Sequence, residues 1–96
     1  MNEYQRKQKE AVEIKRNYPA GTRIELNEMI DTYSPVKAGM RGTVRFVDSM
    51  GQIHMQWDDG RTLALIPDVD SFRKLTNEEI EAELRMEQST INSQEM

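Results

Sequence analysis

From Thr22 to Leu75 the apolar residues recur at every second position, in short runs cut by turn signals. Arg23-Ile24-Glu25-Leu26 alternates, as does Thr43-Val44-Arg45-Phe46, with Val47 adding an apolar group on the second face. Ile53-His54-Met55-Gln56-Trp57 alternates most cleanly. A period of two is the signature of a half-buried strand, because successive side chains point to opposite faces. Thr62–Ile66 is apolar almost throughout, which predicts a strand covered on both faces, and Phe72–Leu75 predicts a short last strand. Asp48-Ser49-Met50-Gly51 and Asp58-Asp59-Gly60 supply tight turns between these runs, and Pro67-Asp68 ends the fourth. Five short strands in so few residues predict a small, strongly bent antiparallel barrel.

The flanks read differently. Residues 2–17 lack Gly and Pro and are rich in Glu, Lys, Gln and Arg, so they form a helix that Pro19 terminates. Tyr4, Ala11 and Tyr18 fall seven apart with Ile14 between them, a narrow stripe that lies on the barrel or on a partner. Thr76-Asn77-Glu78-Glu79 is a capping box that opens a second helix, expected to end near Gln88 with a frayed tail to Met96. The domain plan is an N-terminal helix (1–17), a β-barrel (18–75) and an acidic C-terminal helix with its tail (76–96). A core of this size buries only about 60% of its unfolded surface. The helices are therefore expected to pack on the barrel or on a second copy, which makes a homodimer a live hypothesis.

Charge is unevenly placed. The net formal charge is -4. Residues 1–19 carry a small positive excess, whereas residues 76–96 carry Arg85 alone against six glutamates. Such a tail repels polyanions and suits a basic protein surface. Glu78, Glu79, Glu81, Glu83 and Glu87 are therefore candidate partner-binding residues. Tyr33 joins them: it lies in the long connection Glu28–Met40, beside Ser34-Pro35, where no strand period buries it.

The catalytic inventory is thin. There is no cysteine, hence no disulfide, thiol nucleophile or thiolate metal site, and a reducing, cytoplasmic setting is the natural reading. No apolar run approaches a membrane span, and the polar start from Met1 to Lys9 does not resemble a signal peptide. His54 is the sole histidine and alternates with Ile53 and Met55, so it faces away from their side of the sheet. One histidine cannot build a usual zinc site. Asp48, Asp58, Asp59, Asp68 and Asp70 match no calcium loop and read as turn residues. The glycines are isolated and form no phosphate cradle. No catalytic, metal or cofactor site is expected. Phe46 and Trp57 are expected in the core.

The middle of the chain resembles a known family. Tyr18–Leu26, Gly39–Val44, Asp48–Trp57, Asp59-Gly60, Leu63–Pro67, Asp70 and Phe72–Leu75 carry a linked G-x-V, W-D-x-G and D-x-F-R signature. This is similar to an uncharacterised small SH3-like-barrel family of bacterial phages, plasmids and conjugative elements, over about residues 18–75. The resemblance implies a five-stranded antiparallel SH3-like barrel flanked by helices, and it brings no catalytic residues. It also implies a context in which small acidic proteins block host-defence effectors, CRISPR–Cas9 among them, by occupying a nucleic-acid-binding surface. The favoured expectation is thus a non-catalytic protein that occludes a protein partner. Two rivals stand beside it. One is a nucleic-acid-binding module using Arg41, Arg45, Arg61, Arg73 and Lys74. The other is a small metal-assisted hydrolase or nuclease built on the aspartates around His54.

Overall fold

In the computed structural model of the chain the described residues are 1–29 and 36–95, with side chains described as far as Glu87. The elements run α1 (Glu3–Asn17), β1 (Arg23–Glu28), β2 (Arg41–Val47), β3 (Ile53–Trp57), β4 (Ser71–Lys74) and α2 (Asn77–Glu95). The architecture is mainly β: one antiparallel sheet in the order β3-β2-β1-β4, with two helices. Among the described residues no helix is long and apolar enough to cross a membrane.

The inner face of the sheet holds the core that alternation predicts. Ile24, Leu26, Val44, Val47, Ile53, Met55 and Trp57 are buried there, joined by Val36 and Leu65. Gly42 faces Trp57 across the β2–β3 pair, and a Cβ at Gly42 would stand 2.8 Å from the indole Cε3. The indole therefore lies flat over the strand where β2 has no side chain.

Two expectations are corrected, and a third is met only in part. Thr62–Ile66, expected as the fourth of five strands, forms no ladder. Leu65 makes one bridge to Ile53, with both amide–carbonyl bonds formed, at 2.9 and 2.8 Å. Next to it the Trp57 indole donates to the Leu63 carbonyl at 2.8 Å, so a side chain takes a bond that a ladder would use. The described sheet consequently has four strands and remains open. Phe46 is not in the core. The β2–β3 register shifts between Val44 and Phe46, so Arg45 and Phe46 together oppose His54. This bulge inverts the phase of the strand: Val47 turns inward and Phe46 is 47% exposed on the outer face. Finally, α2 runs past Gln88 to Glu95; residues 88–95 contain neither Gly nor Pro to stop it.

Both helices begin with the signals that define them. At α1, Asn2 accepts from the Gln5 amide at 2.8 Å while the Gln5 side chain accepts from the Asn2 amide at 3.3 Å. At α2, Thr76 Oγ1 accepts from the Glu79 amide and Glu79 Oε1 accepts from the Thr76 amide, which completes the expected capping box. Helix α1 buries Ala11 and seats Ile14 against the β2–β3 turn. Gly51 in that turn has φ +84°, and a Cβ there would meet Ile14 at 3.3 Å, so the residue serves both the turn and the helix contact. Helix α2 is attached at its first turns and reaches outward, which contributes to a longest dimension of 62 Å.

Candidate functional site

The outer face of the sheet collects the charged residues that alternate with the core. Arg41 on β2, Arg23 and Glu25 on β1, and Arg73 on β4 lie on three neighbouring strands. Glu25 pairs in register with both Arg41 and Arg73, and it accepts from each at 3.0 Å. Arg23 donates to Thr43 Oγ1, to both Asp58 oxygens at 2.8 Å and to both Glu83 oxygens. Arg73 donates to both Glu79 oxygens at 2.7 Å. Arg41 reaches Glu79 and Glu83 together, each at 3.1 Å. Bidentate guanidinium–carboxylate contacts fix geometry as well as charge. Glu79 and Glu83 are one helical turn apart on α2, so this cluster docks the helix on the sheet.

The pairing shows in the acidities. The Arg73 guanidinium, helped by the Thr76 amide, holds the Glu79 carboxyl down at about 2. Arg23 lowers Glu83 and Asp58, and Arg41 with Arg73 lowers Glu25. A carboxylate with a depressed pKa contributes stability above its ordinary value, near 4.5 for Glu79, and loses it as pH falls through the depressed one. We therefore expect α2 docking to hold from pH 7 to about 4.5 and to fail as pH descends toward 2. Energy transfer from Trp57, the sole tryptophan, to a dye on Arg85→Cys reads this directly, since the chain has no other cysteine. Transfer that already collapses between pH 7 and 5 would contradict it.

A second feature occupies the same face. The Phe46 and His54 rings stack at a centroid distance of 4.3 Å and an interplanar angle of 9°. His54 Nε2 lies 2.8 Å from Asp48 Oδ2. The His54 contact, with the Met50 and Gln52 amides, holds the Asp48 carboxyl below its ordinary value. His54 faces away from Ile53 and Met55, as its position predicts.

The remaining candidates disperse. Asp59 pairs with Arg61, and Asp70 accepts from the Ile66 amide. With Asp58 on Arg23, the aspartates do not converge on His54 beyond Asp48, and no group of three metal-ligating side chains exists among the described residues. Of the basic set, Arg41 and Arg73 are paired with glutamates and Lys74 lies over the Tyr18 ring at 4.9 Å. Arg45 makes no ion pair among the described residues. Of the acidic set, Glu79 and Glu83 are engaged inside the chain, whereas Glu78, Glu81 and Glu87 are exposed. Tyr33 lies outside the described residues.

Residues 7–75 match the family described as Domain of unknown function (DUF4314). The chain belongs to this family. No curated protein and no solved structure matches. The DUF4314 span covers most of α1 and all four strands and stops before α2. It therefore includes Arg23, Arg41 and Arg73 and leaves out Glu79 and Glu83, the two acids that cover them.

Proposed function

We propose that this DUF4314 protein is a non-catalytic binding protein that occludes a protein partner. One observation carries the reading: the inward glutamates of α2 each have an arginine, while Glu78, Glu81 and Glu87 have no ion pair among the described residues. A helix held at one end, with its exposed acids facing water, is suited to a basic protein surface. The resemblance supplies the context of a mobile element and the SH3-like barrel, with Thr62–Ile66 in the place of its fourth strand. The strand order and the Ile53–Leu65 bridge are compatible with that arrangement. The best specific partner is a nucleic-acid-handling defence effector of the Cas9 type, whose arginine-lined channel would take the helix.

The test is cleavage of target DNA by a guide-loaded Cas9 effector. The wild-type chain should slow cleavage, and Glu78→Lys/Glu81→Lys/Glu87→Lys should restore it. Undiminished cleavage with the wild type overturns the effector assignment. Inhibition that survives the triple substitution overturns the role of the acidic surface.

A further inference from the structure

The outer face of the sheet has a composition that docking a helix does not require. Four arginines, Arg23, Arg41, Arg45 and Arg73, stand against Glu25, Asp58 and the Asp48 that holds His54, an excess of one positive charge. Glu79 and Glu83 outweigh that excess when α2 is in place and pair with three of the four arginines. The same face displays Phe46 stacked on His54, an aromatic surface open to water. It is there because the bulge places Arg45 and Phe46 side by side opposite His54. Bulges re-aim side chains, and this one moves a large ring out of the core. Phe46 lies three residues along β2 from Thr43, about 10 Å of strand, and Arg23 contacts Thr43.

We propose that this face is a binding platform for single-stranded nucleic acid, with α2 as its built-in competitor. An unpaired base stacks on the Phe46–His54 rings. Arg45 beside them, and Arg23, Arg41 and Arg73 beyond, take the phosphates that follow. Planar guanidiniums bind carboxylate and phosphate in the same bidentate manner, so Glu79 and Glu83 stand where phosphates would. An acidic peptide would use the arginines and leave the ring pair idle, and a duplex hides its base faces. Both observations favour an unpaired strand. The family span contains the platform and ends before the helix that covers it. This inference does not rest on the protein-partner reading, because Glu78, Glu81 and Glu87 lie outside the platform.

Fluorescence anisotropy with a labelled twelve-nucleotide oligo-dT, at low salt and with the full chain, tests it. Glu79→Gln/Glu83→Gln should bind at least about tenfold more tightly than wild type. Adding Phe46→Ala should cost about 5–100-fold, while Phe46→Tyr retains binding. Adding Arg45→Gln/Arg73→Gln should weaken binding and flatten its salt dependence. Equal affinity of the glutamine variant and wild type overturns the proposal. So does indifference to Phe46→Ala, or equal competition by poly-glutamate and by unlabelled strand. Should the glutamine variant fail to fold, wild type is compared with Phe46→Ala at the lowest salt: weaker binding by Phe46→Ala supports the platform, and equal anisotropy overturns it.

Discussion

Trp57→Ala is expected to lower the melting temperature by about 12–40 °C. The residue is 1% exposed and is among the largest fully buried side chains. Truncating a buried aromatic costs about 3–5 kcal/mol in lost transfer energy and residual cavity. A domain of this size shifts by about 4–8 °C per kcal/mol. Total stabilities are about 5–15 kcal/mol, so the variant sits near the edge of unfolding at room temperature. The site is poorly able to collapse, since Gly42 offers no side chain on the facing strand to fill the space. The indole also donates to the Leu63 carbonyl, so its loss removes the side-chain bond that adds to the backbone bonds holding the Arg61–Leu65 segment along β3. Trp57→Phe separates the two contributions. It keeps an aromatic ring over Gly42 and loses the hydrogen bond, so its shift should be clearly smaller. Thermal unfolding followed by far-ultraviolet circular dichroism measures both. Equal melting temperatures for Trp57→Ala and wild type would show that the inner face is not the core.

Strand existence was legible where a run keeps its alternation long enough to assign one face to the core, as in β1 and β3, and was misleading at Thr62–Ile66, which is apolar without alternating. The phase within a run was less legible. In β2 the adjacent apolar pair Phe46-Val47 breaks the alternation, and the break marks the bulge at Arg45. Read as a continuous strand it sends Phe46 inward; with one residue inserted, Val47 goes in instead. The capping boxes are local patterns and were readable from spacing, Thr76 and Glu79 being the example. The ion-pair cluster was not readable. Arg23, Arg41 and Arg73 become neighbours through strand order alone, and their pairing with Glu79 and Glu83 depends on how α2 leaves β4. Acids spaced four apart on a helix look the same in sequence whether they face solvent or arginine. Hence the five glutamates read as one acidic surface divide into two inward residues and three exposed ones.

That division ties the cluster to the exposed surface. A helix held by Glu79 and Glu83 keeps these two acids out of reach of any partner. Ion pairs between half-exposed side chains weaken as salt rises, since the Debye length is only about 8 Å at physiological ionic strength. Docking of α2 is therefore sensitive to salt, to acid below its carboxylate range and to competing anions. The packed inner face responds to none of these in the same way.

Leu65→Ala is expected to destabilise the protein by about 2–5 kcal/mol, and Leu63→Ala by no more than about 0.5 kcal/mol. The two leucines lie two residues apart in a run that, as a strand covered on both sides, would bury its apolar residues on either face. The structure gives them unequal roles. Leu65 is fully buried against the core and bridges Ile53 through its backbone, while Leu63 is 40% exposed and offers its carbonyl to Trp57. Alanine at either position leaves the backbone bonds in place, so the comparison isolates side-chain burial. Urea titrations should show a lower midpoint for Leu65→Ala with an unchanged slope, because the surface exposed on unfolding is nearly the same. Equal, large losses at both positions would mean a regular strand that turns Leu63 and Leu65 toward one buried face. Unequal losses mean that one leucine pins an otherwise irregular segment along the β3 edge, where it blunts pairing with another chain.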